Sequence, residues 1–227
     1  MKVAIHQPQY LPWLPYFQKI DKSDLFIFLD SVDFQKNGIQ NRNKIKTSQG
    51  ENWLTVPVKH KLGQKIKDIE IDNLQKWQKK HFQTLIHSYS KSKYFIDYKN
   101  ELEDFFSKKW INLSQMNIHL STLMMNWFEI VTPTIRSSEM NSIGNGSDLI
   151  LNLCKEAGAS HYISGIGGKS YLDLEDFEKQ GITIEFHPPI LANQYPQVFQ
   201  ETGFKNNLSA LDIILNCGKS WKSFIPK

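Results

Sequence analysis

Residues 24–30 read DLFIFLD. Five apolar residues in a row, closed at each end by a carboxylate, leave no polar face for a surface helix. They also lack the in–out alternation of a strand with one wet face. A short continuous run of this kind fits a strand buried on both faces, the pattern of a parallel sheet covered by helices. Toward the N-terminus, Lys2–His6 (KVAIH) reads as a second short apolar strand. Between the two, Leu11–Ile20 reads as a helix whose prolines fall in its first turns, where a missing N–H is tolerated. Strand, helix, buried strand is the opening of a βαβ unit.

Toward the C-terminus, residues 31–50 are polar and Asn/Gly-rich and read as loop. Trp53–Val58 and Ile66–Ile71 read as strands. From Leu74 to Ser88 the period turns helical, with Leu74, Trp77, His81, Leu85 and Ile86 on one side. Tyr89–Tyr98 reads as an aromatic connector and Leu113–Val131 as a long helix. The chain is therefore expected to be one α/β domain over 1–227 with a helical insertion over 74–131. Residues 133–138 return to strand. Asn145-Gly146-Ser147 offers an N-cap to a helix over 148–157, which Gly158 ends. His161–Ser164, a glycine-rich turn over Gly165–Lys169, a helix over Asp173–Gln180 stopped by Gly181, a strand over Ile182–His187 and a last helix over Leu208–Asn216 follow. This alternation predicts a doubly wound, mainly parallel, Rossmann-like sheet.

Composition agrees with a globular domain: of 227 residues 40% are hydrophobic and 12% aromatic, with a net charge of +4. That excess admits an anionic ligand without pointing to nucleic acid. The cations are 25 lysines and two arginines, Arg42 and Arg136. Against such a background an arginine is the better candidate for a planar, bidentate contact to carboxylate or phosphate. Two cysteines, Cys154 and Cys217, sit in apolar helical surroundings. Reduced thiols in a cytoplasmic protein are the expectation. Met1 is followed by a lysine and a strand rather than a signal-type apolar core. No run approaches the roughly 20 apolar residues that span a bilayer.

In an open parallel sheet, ligands bind outside the carboxyl ends of the strands. The residues just past each strand are thus the candidates. His6 ends the first strand, followed by Gln7, Gln9 and Tyr10. It is suited to proton transfer or to polarising a carbonyl or phosphate. Asp30 ends the second and is either a base that orients an amine or the cap of the next loop. Asp33, Gln35 and the donor cluster Asn41, Arg42 and Asn43 come next. Lys59, Ser164, Tyr171 and His187 stand after the later strands. Gly165, Gly167, Gly168 and Lys169 are the most pointed group. Glycines let backbone N–H groups approach an anion, and a lysine lies within reach. The spacing is not that of a Walker A loop, and no HExxH, CxxC, EF-hand or GxSxG pattern occurs. No metal site is expected.

Several blocks together, HQPQYLPWLPYFQKI, DLFIFLDSVDFQKNGIQNRNKIKT, WLTVPV with KIKDIEIDN, SGIGGKSYLD and LSALDIILNCG, resemble the WbqC-like proteins in order along nearly the whole chain. Pro15, Ile166 and Ile39 depart from that pattern without removing a reactive group. These proteins are associated with bacterial gene clusters for O-antigen and other surface polysaccharides. The resemblance implies a cytoplasmic enzyme acting on a nucleotide-linked sugar. The reading adopted for the reaction is transfer of an acyl or aminoacyl group to the amine of a nucleotide-linked amino sugar. ATP-dependent ligase or nucleotidyltransferase chemistry and non-catalytic nucleotide-sugar binding are the alternatives. An acyl donor or ATP is the cofactor to look for. Neither nucleic acid nor membrane is expected as a partner, and a homodimer is compatible with the reading. A weaker similarity, at the level of the nucleotidyltransferase/HUP-like fold, is to pantothenate synthetase. It matches His6 and Lys169 to phosphate-handling positions, but Gln9 and Tyr10 stand where a second histidine would be.

Overall fold

In a computed structural model, which describes residues 1–226, Phe26, Ile27 and Phe28 are all fully buried. In chain order the elements are β1 (Lys2–His6), α1 (Leu14–Asp21), β2 (Leu25–Phe28), β3 (Arg42–Thr47), β4 (Gly50–Thr55), β5 (Val58–Lys59), β6 (Glu70–Ile71), α2 (Trp77–Tyr89), α3 (Phe95–Ser107) and α4 (Leu113–Trp127). They continue with β7 (Thr134–Arg136), α5 (Gly146–Glu156), β8 (His161–Gly165), α6 (Leu174–Lys179), β9 (Thr183–His187) and α7 (Leu211–Cys217).

Five strands form the central sheet in the order β7-β2-β1-β8-β9, and every neighbouring pair is parallel. Side chains alternate across it. Ala4, Phe26, Phe28 and Ile163 join one core with Tyr16, Phe17 and Ile20 of α1 and the apolar faces of α2, α3, α4 and α7. Val3, Ile5, Ile27 and Tyr162 join the other, with Leu149, Leu153 and Cys154 of α5 and Phe177 of α6. Burial on both faces is what the unbroken apolar run over 25–29 requires. The winding also reverses. From β1 the chain moves outward to β2 and then β7; from β7 it crosses to β8 on the other side of β1 and continues to β9. Crossovers of one hand that run in opposite directions place their helices on opposite faces, as the two cores show. The fold is a doubly wound α/β sheet whose direction reverses between β1 and β8.

Several local expectations are corrected. Residues 31–50 are not all loop: Arg42–Thr47 pairs antiparallel with Gly50–Thr55. The inward positions Asn41 and Asn43 are polar, so the alternation was hidden. Their amides are buried because Asn41 Nδ2 donates to Val56 O at 3.0 Å and Asn43 Nδ2 to Leu11 O at 2.6 Å. Ile66–Ile71 is a single 3₁₀ turn over Ile66–Asp68 followed by the two-residue β6. Trp53–Val58 divides at Pro57 into the end of β4 and the start of β5. The connector read over Tyr89–Tyr98 gives way at Phe95 to α3. Phe95, Tyr98, Leu102, Phe105 and Phe106 are its buried face, at helical spacing, but no side chain caps its start. At α5, Asn145 is the N-cap residue without a side-chain cap bond, and Ser147 Oγ accepts from Asp173 N instead. Gly158 and Gly181 end their helices at φ +69° and +71°, the left-handed region that glycine enters freely.

Candidate functional site

His6 is the last residue of β1 and Gly165 the last of β8, so they flank the reversal point, where the crevice of such a sheet opens. A cleft of about 250 Å³ lies there, walled by His6, Trp13, Tyr16, Lys19, Gly165, Gly167, His187 and Pro189 among others. No carboxylate belongs to its lining. Two imidazoles, a lysine amine and a glycine turn face one space, with no acid among them, a donor set chemically suited to an anion.

Each basic group is held short of full charge. The Nδ1 of His6 lies 3.2 Å from Gln7 O and 3.3 Å from Gln9 Nε2, and its ring meets Tyr16 edge-on at 5.2 Å. Burial, and next the charge of Lys19, lower its pKa to about 3. His6 is therefore a neutral imidazole near pH 7. Lys19, on the inner face of α1, is only 4% exposed. Its Nζ donates to Ile5 O at 3.0 Å, and burial lowers its pKa to about 7. Such a lysine exchanges a proton readily at neutral pH. Lys22 Nζ donates to His187 Nδ1 at 3.3 Å. Burial first, then Lys22, lower the His187 pKa. The neutral ring so held carries its proton on Nε2, a buried atom with no protein partner.

Gln7 faces a second hollow of about 500 Å³, beyond the ends of β1 and β2, together with Asp33, Gln35 and Lys65. Gln40 Nε2 donates to Gln7 Oε1 at 2.7 Å, and Lys65 bridges to Asp33 at 2.7 Å. The strand ends thus carry two openings, one on each side of the β1 turn.

Of the remaining candidates, only Gln9 lies against a wall of the cleft. Asp30 is fully buried. Its Oδ2 accepts from Arg136 Nη2 at 2.8 Å, Arg136 Nε at 2.9 Å, Ser138 Oγ at 3.0 Å and Ser114 Oγ at 3.2 Å. Its Oδ1 accepts from Ser138 N and Ser137 Oγ. A carboxylate this fully bonded locks β2 to β7 and α4, a different place from that expected of a base. Tyr10 is fully buried and bonds His81 Nδ1 through its hydroxyl at 2.8 Å. Asn41 and Asn43 pin backbone, as above, and Arg42 stacks on Trp53 at 4.5 Å. Lys59 is exposed on β5. Gln9 packs beside His6 with its Oε1 unpartnered.

The glycine turn divides as well. Gly165 and Gly167 wall the cleft. Gly168 serves packing: a Cβ there would lie 2.1 Å from Ser164 Oγ. Lys169 extends over the Phe186 ring, 5.3 Å from its centre, and Tyr171 is half exposed. Lys19 and Lys22 were missed by strand-end reasoning because Lys19 lies on α1 and Lys22 just past its end. The signal was present as a lysine on the apolar side of a helix, among Tyr16, Phe17 and Ile20.

A family model, that of the WbqC-like protein family, matches residues 7–223. The chain belongs to the WbqC-like family. It is 34% identical over 220 residues, covering 96% of this chain and 94% of the relative, to the uncharacterized protein Rv1507c of Mycobacterium tuberculosis. No solved structure matches it significantly. Among the described residues no helix is long and apolar enough to cross a membrane.

Proposed function

We propose that this WbqC-like protein is an enzyme of bacterial surface-polysaccharide biosynthesis. It binds a nucleotide-linked amino sugar in the strand-end cleft and transfers an acyl or aminoacyl group to the sugar amine. The observation that carries the reading is the carboxylate-free cleft at the β1/β8 reversal, where neutral His6 and His187 and half-charged Lys19 face the Gly165–Gly167 turn. The diphosphate lies against the N–H groups of this turn and the Nε2–H of His187. In the transfer, the amine nitrogen bonds to the acyl carbon and the bond from that carbon to the donor's leaving group breaks. The ammonium proton lost by the amine passes to Lys19, whose lowered pKa suits it to take a proton near pH 7 and return it to the leaving group. His6, too weak a base in this setting, takes the tautomer in which Nδ1 accepts from Gln9 Nε2, and its Nε2–H donates a hydrogen bond to the oxyanion that develops on the acyl carbonyl. The reaction needs no catalytic carboxylate, and Asp30 acts by holding the strand ends in place.

The test is a panel of UDP- and dTDP-linked amino sugars with acyl and aminoacyl donors, read by mass spectrometry for the N-acylated sugar nucleotide. Product that disappears in Lys19→Met and falls at least tenfold in His6→Ala supports the reading. A chain that no sugar nucleotide stabilises against heat contradicts it.

A further inference from the structure

A hollow of about 830 Å³ lies away from the strand ends, where the loop between α2 and α3, residues 196–201 and the end of α7 meet. It shares no wall residue with either opening at the strand ends. Its size is that of a small-molecule site, roughly 300–1,000 Å³.

Its floor is rigid. Asp212, fully buried, accepts from Tyr89 Oη at 2.8 Å, Tyr195 Oη at 2.8 Å and Gln197 Nε2 at 2.7 Å. The buried Lys46 Nζ donates to Gln197 Oε1 at 3.1 Å. This satisfied network ties β3, α2, the 195–197 loop and α7 together, and a fully satisfied polar network fixes the parts it joins. On that floor stands Asn216, 8% exposed. Its Nδ2 is committed to Asp212 O at 2.7 Å, so the acceptor Oδ1 is the end left for the hollow.

The walls are aromatic and shaped. Tyr94 packs on Gly218 so closely that a Cβ there would lie 2.8 Å from the ring. Phe199 is held at φ 55°, ψ 56°, a left-handed conformation that bulky residues rarely adopt. At the rim, Lys91 and Lys93 form no ion pair among the described residues, and Lys93 Nζ sits 5.0 Å over the Tyr94 ring. Glu201 is the one acid in the lining.

Ring faces, the free amide oxygen of Asn216 and two unpaired ammonium groups match one kind of ligand. We propose that this hollow is a second binding site, which takes a nucleoside phosphate whose base carries an exocyclic amine. The base lies against Tyr94 and Phe199 and its amine donates to Asn216 Oδ1. The phosphates reach Lys91 and Lys93. The proposal is independent of what the strand-end cleft binds.

The experiment is an NMR titration of the full ¹⁵N-labelled chain with ADP, CDP, UDP and adenosine. ADP and CDP should move the Asn216 side-chain amide and the Tyr94 backbone amide. UDP, which lacks the amine, and adenosine, which lacks phosphate, should bind there at least about tenfold more weakly, a difference of ~1.4 kcal/mol. The exposed double substitution Lys91→Glu/Lys93→Glu should weaken ADP by a similar factor, while Lys19→Met leaves it unchanged. The proposal is overturned if ADP does not bind, if it moves only resonances around His6 and Gly165, or if charge reversal at Lys91 and Lys93 leaves its affinity unaltered.

Discussion

Lys19 is the residue on which the proposed chemistry turns. A buried ammonium is costly to the fold unless it is paired, and this one meets a backbone carbonyl but no carboxylate. Lys19→Met should therefore retain or raise the melting temperature at pH 8 while abolishing transfer, the pattern of a group retained for function at the expense of stability. A lysine that served only the fold would lower the melting temperature when replaced. His6 makes a second test at this scale. Its folded pKa, about 3, lies below that of the unfolded chain. Between pH 6.5 and about 3 the unfolded state thus binds more protons, and stability falls as the pH falls through that window. His81, lowered to about 4 by burial, acts in the same direction. Replacing His6 by Gln should flatten the acid limb of urea-midpoint curves by up to ~1.4 kcal/mol per pH unit. An unchanged slope would show that the imbalance lies elsewhere. The importance of Lys19 was hard to read from residue type alone, since 25 lysines crowd the sequence and only packing separates this one from the rest.

At the scale of elements, the apolar runs were legible and the polar-faced ones were not. β1, β2, β8 and β9 follow from the short hydrophobic stretches that form them, and α5 and α6 from their period and closing glycines. β3 escaped because Asn43, and Asn41 just before it, turn inward as amides that bond backbone, a pattern that hydropathy reads as loop. α3 escaped because its first turn has no capping side chain. Two elements make quantitative tests. Arg136→Met leaves the Asp30 carboxylate buried without its cation, and should cost ~3 kcal/mol in urea unfolding; a cost under ~1 kcal/mol would deny the β2–β7 lock. Gly168→Ala forces a methyl against Ser164 and Leu172. It should cost about 1–3 kcal/mol, and less in a Ser164→Ala background, which removes the hydroxyl 2.1 Å from the new Cβ. Equal costs in the two backgrounds would mean that the turn moves away as a unit.

Across the whole molecule, the decisive feature is the reversal of winding between β1 and β8. Strand alternation in the sequence was enough to anticipate a doubly wound sheet and to direct attention to strand ends. It could not give strand order, and order is what separates the candidates. His6, Gly165, Gly167 and His187 come together because β1, β8 and β9 are neighbours. Asp30 is drawn instead to Arg136 because β2 lies beside β7. Tyr10 turns under the sheet to His81, and Arg42 leaves with the hairpin. The Gln7 hollow and the His6 cleft meet at one turn.

The central claim is that the β1/β8 cleft receives the phosphates of a nucleotide sugar. Its most direct measurement is the NMR response of the His6 and His187 imidazoles and of the Gly165 and Gly167 amides to a UDP- or dTDP-linked amino sugar. Saturable shifts are expected at all four, lost at His6, Gly165 and Gly167 in Lys19→Met/His187→Ala and unaffected at all four by Lys91→Glu/Lys93→Glu. Saturable binding that leaves those four resonances unmoved would contradict it.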